Sequence, residues 1–262
     1  AMSLAGIIGN VSSEETVVDG CTNYAAVKQL SGRADRLLVG GICGYSYSSG
    51  TIQNCINEEN GLIEISNSTD ANGATITNAS SYIAVGGIVG ETDLDMSGCS
   101  NSGKITHSCL LNPLRVAYNG QLATSRFDVG GIAGRVFTPE ENTTIYKASF
   151  NGLTNDGDVT ILGVPSATLC SPSADTESNG EYQWTDVDDN DRQNKRLFTR
   201  VNVAGLIGRM MDDSSANVKH FVNGCVNNAA VSVPEAAGAK CLSVAGAVGE
   251  LLISNADFNN VV

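Results

Sequence analysis

The sequence predicts an all-β fold, a right-handed parallel β-helix (solenoid) of about six coils with loop insertions. A glycine-rich hexapeptide recurs six times in the 262 residues, and a shorter asparagine motif follows each copy. The composition agrees, because glycine is abundant while charged residues are 16% and aromatic residues 5% of the chain. Short apolar runs bounded by glycine and asparagine are typical of strands, which must stack to bury a face, and crossovers between parallel strands are right-handed.

The hexapeptide has apolar residues at its first and fourth positions and glycine at its third and sixth. Its copies are Leu4–Gly9, Val39–Gly44, Val85–Gly90, Val129–Gly134, Val203–Gly208 and Val244–Gly249. Invariant glycine indicates either a positive φ or a close approach of two backbones. Since the fifth position is also apolar, the strand is either covered on both faces or bent at its glycines. Stacking predicts a buried row at the fourth position, formed by Ile7, Ile42, Ile88, Ile132 and Leu206.

The second motif is typically Gly-Cys-x-Asn. Its copies are Gly20–Asn23, Asn54–Asn57, Gly98–Asn101, Gly152–Asn155, Gly224–Asn227 and, in weakened form, Asp257–Asn260. Asparagine tolerates the left-handed region and bonds to its own backbone, so this motif predicts a turn. The column of its second position predicts another buried row, with Cys21, Cys55, Cys99, Leu153, Cys225 and Phe258. Free cysteine suits such a row as a small hydrophobe, although neighbours at about 4.8 Å could also form a disulfide.

The repeats cover residues 1–262 as a single β-helix domain. Successive hexapeptides are separated by more residues than one plain coil requires, so insertions are predicted at 64–84, 107–128 and 161–202. The last of these is a long inserted loop region. A conventional antiparallel sandwich is the structural alternative. Because repeat arrays normally need polar capping units and neither end shows one, the chain is expected to be a fragment of a longer repeat protein.

The charge balance argues against two classes of partner. Lys and Arg number 15 against 28 Asp and Glu, a formal net charge of −13. An acidic chain repels phosphate backbones and anionic lipid, so no nucleic-acid partner is expected. No uncharged apolar stretch approaches about 18 residues, so this segment is not expected to insert directly into a membrane.

The sequence predicts no catalytic residues. A serine or cysteine nucleophile needs a histidine within reach, and neither a nucleophile elbow nor a phosphate-binding loop is present. The residues that follow the cysteine column cannot act as acid or base. Catalytic carboxylates would have to lie elsewhere, for example at Asp93 and Asp95 or within 186–191, so the chain is predicted not to be an enzyme.

One segment of the longest insertion resembles a calcium loop. Asp186, Asp188 and Asn190 have the alternating spacing that presents several oxygens to one ion. Asp191 stands where such a loop needs glycine, and Leu197 replaces the bidentate glutamate. The segment is therefore either a weak Ca²⁺ site or a solvated charged loop, and no other cofactor is predicted.

Two pairs of aromatic residues are the predicted ligand-binding residues. Tyr45 with Tyr47, and Tyr182 with Trp184, could stack on sugar rings. The alternative is that these rings pack loops onto the body of the solenoid.

The paired unit VGGIVG and GCSNSGKIT, within residues 85–106, resembles the GLUG-type repeats of bacterial cell-surface, adhesin-like proteins. It is more distantly similar to haemagglutinin-like β-helical passenger repeats. The resemblance covers nearly the whole chain outside 161–202, and the chain departs from the repeat in its long insertions, at Leu153 and at Phe258.

This resemblance implies an extracellular or cell-surface protein whose export signal lies outside this chain. Its expected partners are a glycan or protein surface ligand and the neighbouring repeats of the parent protein. The expected function is a non-catalytic interaction module, with repeats as scaffold and inserted loops for recognition. A polysaccharide-acting lyase or glycoside hydrolase and a purely structural spacer are the alternatives.

Overall fold

The computed structural model confirms a parallel β-solenoid of about six coils, in which five parallel sheets run along the stack. It describes residues 2–13, 15–29, 36–47, 50–66, 68–69, 75–76, 82–107, 115–116, 122–123, 125–138, 146–162, 199–212, 218–233, 241–253 and 255–262. Neighbouring strands of every sheet along the stack are parallel, so the antiparallel sandwich is wrong.

Each of the first five coils contributes one strand to each sheet, and the sixth contributes to sheets 1 to 3. Sheet 1 contains Met2–Ala5, Arg36–Gly40, Tyr82–Gly86, Ser125–Gly130, Thr199–Ala204 and Cys241–Ala245. Sheet 2 contains Ile8–Val11, Cys43–Ser46, Val89–Thr92, Ala133–Thr138, Ile207–Asp212 and Val248–Leu252. Sheet 3 contains Thr16–Asp19, Gly50–Gln53, Asp95–Ser97, Tyr146–Asn151, Val218–Asn223 and Ala256–Asn259.

Sheets 4 and 5 have five strands each. Sheet 4 contains Thr22–Asn23, Ile56–Asn57, Ser100–Asn101, Thr154–Asn155 and Val226–Asn227. Sheet 5 contains Val27–Gln29, Ile63–Ile65, Ile105–His107, Val159–Ile161 and Val231–Ser232. Two antiparallel pairs lie outside these sheets, Ser68–Thr69 with Thr75–Ile76 and Arg115–Val116 with Leu122–Ala123.

The hexapeptide strand is covered on both faces and also bends at its glycines, so both alternatives from the sequence hold. Leu37, Leu38 and Val39 in sheet 1 are all fully buried. The chain then bends at Gly41 and Ile42 and returns as sheet 2. One apolar cluster fills the space between sheets 1 and 5, and a second lies among sheets 2, 3 and 4.

The sixth-position glycine permits the close approach of sheet 2 to sheet 1. A Cβ on Gly90 would lie 2.5 Å from the backbone N of Val39 in the preceding coil. The same contact in the next coil would be 2.4 Å, between Gly134 and the backbone N of Val85. Any side chain here would force the two sheets apart.

A row of asparagine amides links the coils inside the solenoid. In each of the first four coils, Nδ2 donates to Oδ1 of the asparagine in the next coil, at 2.7, 2.7, 2.8 and 2.9 Å along Asn23, Asn57, Asn101, Asn155 and Asn227. Each Nδ2 also donates to a nearby backbone carbonyl, as Asn101 does to Gly103 at 3.0 Å. These hydrogen bonds offset the cost of removing the amides from water.

The third-position glycine is required by this amide row. A Cβ on Gly87 would lie 2.2 Å from Cγ of Asn101, and a Cβ on Gly41 would lie 2.5 Å from Cγ of Asn57. Each Cβ would also lie 2.2 Å from the backbone O of the equivalent glycine in the next coil. The two sequence motifs are therefore halves of one contact, because the asparagine side chain occupies the space that the glycine leaves open.

The fourth-position row is buried wherever a coil covers it on both sides. Ile42, Ile88 and Ile132 are fully buried and Leu206 is 1% exposed. Ile7 is 47% exposed, because its coil pairs with another coil on one side only.

The last copy of the second motif has a different register from the one assigned by sequence. Phe258 pairs with Val222 in sheet 3, so its expected place in the cysteine row is wrong. Asn260 has a φ of 52° and takes the turn position that Gly224, with a φ of 58°, takes in the preceding coil. Val261 follows this turn, as cysteine does elsewhere, and packs against the apolar core.

Every connection between one coil and the next leaves sheet 5 and enters sheet 1. These connections follow Gln29, Ile65, His107, Ile161 and Ser232 and end before Arg36, Tyr82, Ser125, Thr199 and Cys241. Three of the five coincide with the predicted insertions 64–84, 107–128 and 161–202, although each prediction includes a few residues of the flanking strands. We call the edge between sheets 5 and 1 the insertion corner.

Replacing Gly87 by alanine is expected to lower the free energy of unfolding by roughly 1–3 kcal/mol or more, because the new methyl group collides with Asn101 and with the backbone O of Gly131. The measurement is urea unfolding followed by circular dichroism. Gly246→Ala is the control, since no atom lies within 4 Å of its added Cβ, and its effect should stay within about 0.5 kcal/mol. Equal losses in both variants would contradict the proposed contact.

Burial of His107 should make stability depend on pH. Its ring lies 4.6 Å from that of Phe127, and burial lowers the pKa of His107 to about 4. The unfolded chain therefore binds more protons below pH 6.5, and stability should fall by about 3 kcal/mol between pH 6.5 and 4. His107→Leu should remove this part of the loss in unfolding titrations, whereas Ile161→Leu in the same row should retain it.

Candidate functional site at the seam of sheets 1 and 2

Among the described residues, charged and aromatic side chains cluster where sheet 2 folds back over sheet 1. Glu91 is 3% exposed, and its carboxylate binds three neighbours. Arg36 donates to Oε1 at 2.5 Å, the Tyr82 hydroxyl donates to Oε2 at 2.9 Å, and Arg135 lies 3.4 Å from Oε2. These contacts compensate for the burial of the carboxylate, because charge-assisted hydrogen bonds replace its hydration.

Aromatic rings surround both arginines. The guanidinium carbon of Arg36 lies 5.7 Å from the ring centre of Tyr45 and 5.5 Å from that of Tyr82. Arg135 lies 5.2 Å from Tyr82 and 4.9 Å from Phe137. At these distances the cations are attracted to the ring faces. Burial raises the pKa of Tyr45 and of Tyr82, so both hydroxyls keep their protons at neutral pH.

The outer part of this group is open to solvent. The ring of Tyr47 is stacked with that of Tyr45, with centres 6.2 Å apart and planes inclined by 15°. Tyr47 is 44% exposed, and the side chain of Arg36 is 40% exposed. We define Arg36, Tyr45, Tyr47, Tyr82, Glu91 and Arg135 as the aromatic–arginine cluster. Its outer part consists of Tyr45, Tyr47 and Arg36. The carboxylate of Glu91 and its contact with Arg135 lie buried beneath them.

The repeat explains why these side chains meet. Arg36 begins a strand of sheet 1 and Tyr45 lies near the end of the following strand of sheet 2, so the bend between the sheets brings them together. In the next coil, Tyr82 pairs opposite Arg36 and Glu91 pairs opposite Tyr45. Arg135 pairs opposite Glu91 one coil further on. One column of each sheet thus supplies every member of the cluster except Tyr47, which follows the strand that carries Tyr45.

The seam continues through the later coils as a buried polar network. Arg209 is fully buried, and its Nε lies 2.9 Å from a carboxylate oxygen of Glu250. Asn202 donates to that same oxygen at 2.9 Å and to Oδ1 of the buried Asp128 at 2.8 Å. In this part of the seam, the acidic side chains of Asp128 and Glu250 therefore contact arginine or asparagine side chains.

Among the sequence-predicted ligand residues, Tyr45 and Tyr47 lie together in the cluster. The other ligand and metal candidates lie outside the described residues, namely Tyr182, Trp184, Asp186, Asp188 and Asn190.

The cysteine row lies in the core as predicted. Cys55, Cys99, Leu153 and Cys225 are buried, and Cys21 is half-buried.

Of the carboxylates named for an enzyme, Asp93 and Asp95 lie in one coil, and 186–191 lies outside the described residues. Asp95 accepts a hydrogen bond from the backbone N of Ser149 at 2.8 Å, and burial raises the pKa of Asp95. Asp93 is buried in the same coil. In the seam, Glu91 and Glu250 each face an arginine rather than another carboxylate.

Sequence reasoning missed Arg36, Tyr82, Glu91 and Arg135. The repeat alignment contained a signal, because Arg36 and Tyr82 each stand three residues before the valine that opens a hexapeptide. The alignment could not show that two columns of residues contact one another. One column precedes the hexapeptide and contains Arg36 and Tyr82, and the other follows it and contains Tyr45 and Glu91.

Within the ranges that the structure describes, no three or more His, Cys, Asp or Glu side chains are grouped so as to hold a metal ion. The same ranges contain no helix with the length and apolar character needed to cross a bilayer.

Comparison with protein-family models, with curated proteins and with solved structures found no match.

Replacing Glu91 by leucine should lower the free energy of unfolding by about 3–5 kcal/mol, because it leaves the mostly buried Arg135 without its carboxylate. The control is Glu64→Ala, which breaks the solvent-exposed pair with Lys28 at 3.0 Å and should cost less than about 1 kcal/mol. Urea titrations of the two variants and the parent protein give the comparison. Similar losses would show that burial of the cluster contributes little.

Proposed function

We propose that this chain is a non-catalytic, adhesin-like recognition module that acts outside the cell or at its surface. The coils serve as scaffold, and the insertion corner with the neighbouring aromatic–arginine cluster binds a glycan or a protein surface. The observation that carries the proposal is that the cluster adjoins the insertion corner, since Arg36 and Tyr82 are the first residues of strands that follow two of the connections between coils.

The composition of the cluster supports recognition. Exposed tyrosine and arginine side chains bind ligands well, because each combines apolar contact area with hydrogen-bonding groups and tyrosine loses little conformational entropy. Tyr47 and Tyr45 offer an aromatic surface, and the buried contacts of Arg36 with Glu91 hold this surface in place. A preorganised surface of this kind binds without the cost of ordering its side chains.

The resemblance to GLUG-type repeats supports the proposed location. It rests on the paired motifs, whose physical role is the asparagine–glycine contact described above. The neighbouring repeats of the parent protein would stack on the same sheets, because each coil reproduces the edge of the coil before it.

Screening the purified chain on a glycan array, with calcium and with a chelator, tests this function. We expect retention on a defined set of glycans, and Tyr47→Ala should weaken it by about tenfold or more through loss of the exposed ring. Tyr24→Ala is the matched control, since Tyr24 is 67% exposed and belongs to the turn between sheets 4 and 5. Calcium dependence would indicate that a cation takes part, and Asp186, Asp188 and Asn190 are the ligands that the sequence proposes for it.

Two other outcomes would replace the proposal. Release of sugar fragments from the retained glycans would indicate a polysaccharide-acting enzyme. Absence of binding to glycans and to surface proteins alike would indicate a structural spacer.

A further inference from the structure

Three cysteines lie directly above one another in the first three coils. The backbone N of Ile56 donates to the carbonyl of Cys21 at 2.8 Å, and that of Ser100 donates to the carbonyl of Cys55 at 2.9 Å. This register aligns Cys21, Cys55 and Cys99. Opposed residues in neighbouring strands have Cα atoms about 4.8 Å apart, which lies within the range of a disulfide.

The buried thiols each contact one carbonyl of their own coil and one of the coil before. Sγ of Cys55 lies 3.2 Å from the carbonyl of Gln53 and 3.5 Å from that of Val18 in the first coil. Sγ of Cys99 lies 3.5 Å from the carbonyl of Ser97 and 3.5 Å from that of Ile52 in the second coil. The contact with Val18 shows that the sulfur of Cys55 is within reach of the first coil, to which Cys21 belongs.

Accessibility and acidity distinguish the members of this row. Cys21 is half-buried, whereas Cys55 and Cys99 are fully buried. Burial raises the pKa of Cys21, and the nearby thiol of Cys55 raises it further. Hydrogen bonds from Cys99 and from Cys21 lower the pKa of Cys55, whereas its burial raises it. The accessible thiol of Cys21 thus has a buried thiol as its neighbour in the row.

We propose that Cys21 and Cys55 form an inter-coil disulfide when the protein meets a low-molecular-weight disulfide oxidant. The thiolate of Cys21 attacks the oxidant, forms a mixed disulfide and releases one small thiol. The thiolate of Cys55 then attacks Sγ of Cys21 and releases the second small thiol. Two protein thiols lose two electrons and two protons, and the oxidant is reduced to two thiols.

Oxidation would fasten the first coil to the second. In the chain as tested, the described strands of the first coil pair with the second coil only, so their hydrogen bonds are expected to open before those of inner coils. A covalent bond closing the loop between Cys21 and Cys55 restricts this opening. Amide exchange in residues 16–29 reports the effect directly.

The test is exposure of the full chain to oxidised glutathione, followed by intact-mass measurement and peptide mapping. The parent for this test carries serine at the cysteines whose side chains lie outside the described residues, Cys109, Cys170 and Cys241. We expect a loss of two mass units, a Cys21–Cys55 linked peptide, and slower amide exchange in residues 16–29. Cys55→Ser should stop at a single glutathione adduct on Cys21.

Cys225→Ser is the matched control. Cys225 occupies the same row and makes the same kind of hydrogen bond, 3.4 Å to the carbonyl of Phe150, but its neighbours are Leu153 and Val261. This variant should form the disulfide as the parent does. A persistent adduct on Cys21 in the parent, or a link between Cys55 and Cys99 instead, would overturn the proposal, and neither result depends on the recognition function.

Discussion

The whole fold depends on equivalent residues of successive coils lying directly above one another. The clearest expression is the contact between the motif asparagine and the central glycine of the hexapeptide. Asn101 occupies the space above Gly87 and at the same time bonds to the asparagines before and after it. A larger residue at Gly87 would displace the amide, and a displaced amide would leave its neighbours without hydrogen bonds in a buried environment. One contact therefore fixes both the bend of the chain and the register of the stack.

The same superposition explains how charged groups come to be buried in an acidic protein. Sheet 2 approaches sheet 1 closely at Gly90, and the next residue, Glu91, is almost completely buried. Arginines from the preceding and the following coil satisfy its carboxylate. Later coils repeat this solution with Arg209 and Glu250. A buried ion pair gives little net stability over an apolar pair, but it penalises any shift of register that separates the charges.

Sequence reasoning reached the solenoid, its buried rows and the place of its insertions, because each follows from columns that repeat. It failed at Phe258, where cysteine is absent and two adjacent asparagines allow either of two registers; the positive φ of Asn260 selects one. It identified Tyr45 and Tyr47 but missed Arg36 and its partners. These residues belong to one column of sheet 1 and one column of sheet 2, which meet because sheet 2 packs against sheet 1. Contact between two sheets depends on three-dimensional packing rather than on spacing along the chain.

The asparagine row also gives the solenoid a direction. Backbone hydrogen bonds between its parallel strands run both ways along the axis, so their dipoles largely cancel, as in other sheets. The side-chain amides do not alternate, since every Nδ2 from Asn23 to Asn155 donates toward the later coil. Their dipoles add head to tail, and each bond polarises the next. The rod thus carries an electrical polarity along its axis, a side-chain counterpart of the macrodipole of an α-helix.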